Sequence, residues 1–280
     1  MSPSPPVVTR RDLPTPSGPV AAVEAGDGPP VVLVPGYTGT KEDFALVLAP
    51  LAAGGVRAVA VDLPGQFESP GPDDPAAYGV DALAGTVLAV VGELGGRAHL
   101  VGHSFGGLVC RAATIADPAA VASLTLLDSG PGAIGGNRRE RMAALEPLLA
   151  AGGMAGVYDA LELLAAGDPQ WLSAPVEHRE FLRRRFLAGT EAALRGMGDA
   201  LRAEPDRTAE LRATGVPLLV AYGEEDDAWP PAVQAEMAER LGAAHAVVAG
   251  AVHSPAAQQP EATVKVLLDF WAGAGGTPGL

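Results

Sequence analysis

Cysteine is almost absent from this chain of 280 residues: Cys110 is the only one. No intramolecular disulfide can form, and a reducing compartment, the cytoplasm, is expected. Positive charge is scarce as well. Nineteen Lys plus Arg stand against thirty-three Asp plus Glu, a formal net charge of -14, which argues against nucleic acid or an anionic membrane surface as a partner. The opening Met1-Ser2-Pro3-Ser4-Pro5-Pro6 lacks the apolar core of a signal peptide. The longest stretch without Asp, Glu, Lys or Arg, Leu241 to Pro260, holds two histidines, two glutamines and two prolines, so no membrane insertion is expected. Internal repeats and metal-ligand spacings are missing too. Apolar residues make up 48% of the chain, enough for one large domain or a domain carrying a smaller insert.

Those apolar residues fall into a rhythm. Residues 1–19 are proline-rich and read as an irregular start, with Val7-Val8-Thr9 and Val20-Ala21-Ala22-Val23 as the arms of a leading hairpin. Short apolar runs at Val31–Val34, Val56–Val61, Val121–Leu127, Val216–Tyr222 and Ala244–Val248 read as strands, several buried on both faces. Helical patterns at Phe44–Leu51, Val80–Leu94, Pro231–Leu241 and Glu261–Trp271 separate them. The gaps are too long for hairpins, so the fold class is α/β with a mostly parallel central sheet flanked by helices. Residues 20–132 and 213–272 carry this alternation, and 273–280 form a Gly/Pro-rich tail expected to be flexible.

Between 133 and 212 strand signals vanish. Arg138–Leu149, Met154–Ala165, Val176–Leu187 and Glu191–Arg202 read as helices of an insert. Eleven arginines against twelve acidic residues leave the insert nearly neutral, so most of the acidity lies outside it. Its Met142, Leu145, Leu148, Leu149, Met154, Val157, Leu161 and Leu164 read as packing residues at helical spacing, with Met142 and Met154 also candidates for a substrate pocket. Arg183–Arg185 with Arg138, Arg139 and Arg141 read first as a solvated helix face, and alternatively as a surface for an acidic substrate or carrier.

The chemistry centres on Gly102-His103-Ser104-Phe105-Gly106-Gly107, placed between an apolar strand and the apolar helix that holds Cys110 as a small core residue. A G-x-S-x-G turn there exposes the serine at its tip and aims it at free N–H groups of the helix start. A serine hydroxyl is a weak nucleophile and needs a base that a third group orients. Of five histidines, His99 lies inside a strand, His103 is expected to point away from its neighbour Ser104, His178 sits on the insert, and His245 begins a strand. His253 alone follows a strand in a loop, which makes it the candidate base. For the acid, Tyr222-Gly223-Glu224-Glu225-Asp226-Asp227-Ala228-Trp229-Pro230 follows the preceding strand. Asp226 is the first choice, Asp227 its close rival, and Asp128 a third. Trp229 either shields the site or anchors the loop.

These motifs together resemble the α/β-hydrolase superfamily over residues 30–130 and 213–272. Gly102–Gly107 is similar to its nucleophile elbow, Gly223-Glu224-Glu225-Asp226 with Pro230 to its acid turn, and Val252-His253-Ser254 to its histidine loop. The resemblance selects Asp226 over Asp227. It implies a Ser104–His253–Asp226 triad, an oxyanion hole from the backbone N–H groups of Tyr37 and Phe105, and a helical cap at 133–212. Two motifs depart from the family: Pro35-Gly36-Tyr37 replaces its usual His-Gly-x, and Phe67 stands where its Asp62–Ser69 loop usually has glycine. The implied function is a serine hydrolase that cleaves an ester-type small molecule, a carboxylic ester, thioester or lactone, with no metal or organic cofactor. A serine at the elbow disfavours the dehalogenase and epoxide-hydrolase branches. Acyltransferase, cofactor-free perhydrolase and C–C hydrolase remain alternatives on the same residues, and a non-catalytic binding protein is less favoured because no triad member is lost.

Overall fold

A computed structural model of the chain describes residues 6–167 and 169–274. Residues 1–5 of the proline-rich opening and 275–280 of the expected tail lie outside the described residues. Eight strands form one sheet in the order β1-β2-β4-β3-β5-β6-β7-β8. They are β1 (Thr9–Leu13), β2 (Val20–Ala25), β3 (Pro30–Val34), β4 (Arg57–Val61), β5 (Ala98–His103), β6 (Val121–Leu127), β7 (Leu218–Gly223) and β8 (Ala244–Val248). β1, β2 and β4 pair antiparallel, and every other neighbouring pair is parallel.

The continuous apolar runs have a direct physical origin. Alternate residues of a strand point to opposite faces, and here helices cover both. Val32, Val34, Leu100, Leu124 and Val220 enter one core layer. Against it lie α2 (Val80–Glu93), α3 (Phe105–Ala116) and α9 (Pro231–Leu241). Val31, Leu33, Val101, Leu127 and Leu219 enter the other layer. That layer packs against α1 (Ala45–Ala53) and α11 (Pro260–Ala274).

The leading hairpin forms with a shifted first arm. β1 pairs Thr9 with Glu24 and Leu13 with Val20, while Val7 and Val8 stay exposed outside it. Only Leu13 of this strand is buried. Backbone pairing therefore holds β1, and Arg10, Arg11 and Asp12 put charge on a sheet edge that would otherwise invite another strand.

Five helices lie between β6 and β7: α4 (Gly136–Ala165), α5 (Pro169–Ser173), α6 (Val176–Leu187), α7 (Glu191–Ala203) and α8 (Thr208–Ala213). By length and composition α4 could cross a membrane, but Gly153 breaks it with a non-helical φ of 60° and ψ of -158°. It is two helices at an angle, as the sequence pattern at Arg138–Leu149 and Met154–Ala165 reads. The break also changes which leucines pack. Leu149 and Val157 join Tyr158, Phe186 and Leu194 in a small core, while Leu148 and Leu164, expected to be packed, fall on the outward faces and are exposed.

Buried charge ties these helices to the sheet. Arg111 of α3 is 1% exposed. It donates to Glu204 at 2.5 Å, to the Pro131 carbonyl and to the Pro205 carbonyl at 3.3 Å, and so joins both ends of the insert to the helix that follows Ser104. Removing one member of a buried pair strands the other. Arg111→Ala is expected to lower unfolding free energy by about 3–5 kcal/mol, read as a reduced urea midpoint at pH 7.

Candidate active site

The turn between β5 and α3 begins with a steric requirement. Ser104 has φ 54° and ψ -120°, a conformation that L residues rarely adopt. The chain reverses so tightly that a Cβ on Gly106 would lie 2.4 Å from the carbonyl oxygens of Val34 and Pro35, and one on Gly102 would lie 2.4 Å from that of Gly106. Both positions must be glycine. Ser104 N–H donates to the Leu127 carbonyl at 2.9 Å, and Gly107 N–H closes the turn onto the Ser104 carbonyl at 2.9 Å. The serine is held in place by backbone alone, and its side chain is left free for chemistry.

Two later loops reach it at the carboxyl edge of the sheet, where ligands gather in such folds. His253 Nε2 lies 3.0 Å from Ser104 Oγ, and its Nδ1 lies 2.8 Å from Asp226 Oδ1. Because a carboxylate oxygen accepts, Nδ1 carries the proton. Nε2 is then a lone-pair acceptor for the serine hydroxyl, the orientation that a general base needs. Asp226 is buried and its oxygens are fully engaged: Oδ1 also accepts from Ala228 N–H at 2.8 Å, and Oδ2 from Gln234 Nε2 at 2.6 Å. Asp227, the rival acid, is turned outward and bonded to Arg138 at 2.5 Å.

Phe105 follows Ser104 in the chain, and Tyr37 lines the same cavity as Ser104. Phe105 N–H begins α3 and so has no intrahelical partner. No backbone hydrogen bond from either amide occurs among the described residues. Tyr37 is fixed through its hydroxyl, which donates to the Leu194 carbonyl of α7 at 3.1 Å.

The sequence reading passed over three supporting residues. His103 does not simply point away: its Nε2 lies 2.6 Å from the His253 carbonyl, and since a carbonyl only accepts, His103 donates from Nε2. Burial, reinforced by the charge His253 would carry, lowers its pKa to about 4, so it remains neutral while it braces the loop. Gln234 is a second case. It sits at the buried face of α9 with Met237, Ala238 and Leu241. A polar residue in an apolar 234/237/238/241 stripe was the available signal. Asp128, ranked third as the acid, lies beside the first choice. Its carboxyl oxygen, one of Asp226 and a ring nitrogen of His253 all lie within 4.8 Å of one another. Burial first, then repulsion from Asp226, pushes its pKa up to about 9. A neutral Asp128 accepts from Gly223 N–H at 2.8 Å without adding a second buried negative charge.

Above Ser104 opens a cavity of about 360 Å³ lined in part by Met142, Leu145, Leu161, Leu201 and Ile134. Met154 lines instead a separate small cavity of about 30 Å³ with Tyr37 and Phe186. Trp229 is not among the residues that line either one. It is 3% exposed, with its ring 6.4 Å from that of His253, so it packs behind the base. Phe67 accounts for its own departure from the expected glycine. It adopts φ 36°, sets its ring 4.7 Å from the buried Lys41 Nζ, and meets Phe181 of α6 edge-on at 6.0 Å.

A serine on a strained strand–helix turn, facing a histidine and a carboxylate from two later loops, defines the site of an α/β-fold hydrolase. The chain belongs to the alpha/beta hydrolase family, whose model matches residues 31–266. It is an esterase-like hydrolase. A pimeloyl-[acyl-carrier protein] methyl ester esterase of Aeromonas hydrophila is 28% identical over 257 residues, 90% of this chain and 98% of that protein. Its counterpart in Methylococcus capsulatus is 30% identical over 261 residues, 89% and 96% of the two chains. Among solved structures, a thermophilic esterase from Thermogutta terrifontis superposes with a TM-score of 0.79 at 23% identity, covering 96% of this chain and 100% of that one. The enol-lactonase of Burkholderia xenovorans LB400 gives 0.76 at 23% identity, covering 91% and 96%.

The neutral Asp128 has a thermodynamic consequence. Its pKa is about 9 folded and about 3.9 unfolded. Its contribution to stability is therefore complete below pH about 4 and is lost progressively as pH rises toward 9. Asp128→Asn keeps the acceptor and removes the titration. The variant is expected to gain stability over the parent at pH 8 and much less at pH 5, measured by urea unfolding at both pH values.

Proposed function

We propose that this chain hydrolyses an ester-type small-molecule substrate through an acyl-enzyme on Ser104, with His253 as base and Asp226 as its orienting acid. The observation that carries the reading is the pair of contacts at His253, 3.0 Å to Ser104 Oγ and 2.8 Å to Asp226, facing a cavity of the size small ligands use. Ser104 Oγ attacks the acyl carbonyl while His253 Nε2 takes its proton. The tetrahedral oxyanion lies against the amides of Tyr37 and Phe105, where a hydrogen bond is strongest when charge develops. His253 returns the proton to the leaving alcohol or thiol, then takes one from water to release the acid. Gln234 and the neutral Asp128 keep Asp226 in place throughout, and His103 braces the His253 backbone.

We assign the helices of 133–212 the part of a cap. The support is chemical: Met142, Leu145 and Leu161 furnish an apolar wall for an acyl chain opposite the serine. Ser104→Ala is expected to lower kcat/KM on p-nitrophenyl esters by at least ~10³-fold, and the parent protein should take up a fluorophosphonate on Ser104. Ester turnover retained in the variant, or label found on another residue, would overturn the reading.

A further inference from the structure

The protein is strongly acidic, at -14 overall, yet three guanidinium groups line the cavity over Ser104: Arg138, Arg141 and Arg185. Two of them are already committed. Arg138 is held by Asp227 at 2.5 Å, and Arg185 by Asp43 at 2.5 Å and Thr40 Oγ1 at 3.0 Å. Asp43, the carboxylate on the cavity wall, is neutralised by that pair. Arg141 has no ion pair and no hydrogen bond among the described residues. It stands on the same face of α4 as Arg138, Met142 and Leu145, at the i, i+3, i+4 and i+7 spacing that puts residues along one stripe. Among the described residues one cavity guanidinium is therefore uncommitted, and it lines the cavity over Ser104 next to Met142 and Leu145 on its helix.

We propose that Arg141 anchors a free carboxylate at the far end of the acyl group, so that the substrate is a hemi-ester or hemi-thioester of a dicarboxylic acid. This rests on the serine-hydrolase reading above. The methylene stem lies on Met142, Leu145 and Leu161, and the carboxylate meets the guanidinium fork, which matches its two oxygens. The count of free cations selects the anion. A single guanidinium balances a carboxylate, whereas a phosphate dianion calls for a second cation, and Arg138 and Arg185 are both engaged by acids of the chain. Hydrolysis consumes one water, releases the alcohol or thiol and leaves a diacid, with the anchored carboxylate unchanged throughout. The class of reaction that supplies the substrate is then mono-esterification or mono-thioesterification of a diacid.

The test compares p-nitrophenyl hemi-esters of glutaric, adipic and suberic acid with neutral esters of equal chain length, in the parent, Arg141→Gln and Arg141→Glu. The parent is expected to prefer a hemi-ester of matching length. Arg141→Gln should lose roughly 10–100-fold in kcat/KM on it relative to the neutral ester of equal length, the range for a bond between charged groups, mostly through KM. Arg141→Glu should favour the neutral ester. An equal loss on both substrates, or no loss on the hemi-ester, would overturn the assignment. Binding to the Ser104→Ala protein gives a readout independent of turnover: adipate or suberate should bind, inorganic phosphate should not, and Arg141→Gln should abolish diacid binding. Phosphate binding as tight as the diacid would overturn the choice of carboxylate. Failure of the catalytic reading alone would instead abolish Ser104-dependent turnover of every ester and leave the Arg141-dependent binding intact.

Discussion

The backbone of Ser104 is the constraint on which the rest of the structure depends. A non-glycine residue at φ 54° stores about 1–3 kcal/mol that its surroundings must supply. They do so with two backbone hydrogen bonds and with glycines at 102 and 106, where the chain passes too close for any Cβ. Strands β3 and β6 flank β5 on either side, so the strained turn is clamped at the middle of the sheet. A hydroxyl carried on such a turn does not need side-chain packing to hold it, and that leaves it exposed to an incoming carbonyl.

Around this fixed point the protein places a minimum of buried charge. Three donors hold the Asp226 carboxyl, His253, Ala228 and Gln234, while Gly223 N–H donates to the neighbouring Asp128. A second carboxylate within 4.8 Å would be repelled if it ionised, and burial leaves no water to screen the pair. Asp128 is neutral for that reason. The same economy applies to His103, whose low pKa keeps a second cation away from the base. The proton that matters is thus confined to the Ser104–His253 contact.

The inserted helices join the main core through an apolar face of α7 and α8, with Ala193, Met197, Leu201 and Leu211, and specific contacts add to it. Arg111 grips Glu204, Arg185 grips Asp43, and Phe67 leans on Phe181. Each link lies beside the cavity or the elbow helix. Tyr37 of the Pro35-Gly36-Tyr37 turn and Phe67, which stands where the family usually has glycine, belong to this arrangement. Tyr37 reaches α7 through its hydroxyl, and Phe67 bridges a buried lysine to α6.

Much of this could be read from the chain alone, for an identifiable reason. Strands buried on both faces must be apolar throughout, and a turn without room for Cβ atoms must be glycine, so β3 to β7 and the Ser104 elbow were legible as residue types. The order Ser104, Asp226, His253 along successive strand ends was legible as well. Partners brought together by folding were not. Nothing in the spacing of Asp128 and Asp226, or of His103 and His253, tells that they touch, because each pair meets only when β5 to β8 align in one sheet. The shifted β1 was missed because backbone pairing, not an apolar pattern, holds it. The exposed Leu148 and Leu164 were missed because the break at Gly153 rotates one half of α4 against the other. The sequence alone determined which residue types stand at the strand ends and at the tight turn of the candidate site, since local sterics and hydrophobic patterning act on residue identity. The tertiary structure decided which of them are paired and which arginine of the cavity has no partner among the described residues, since burial and proximity exist only in the fold.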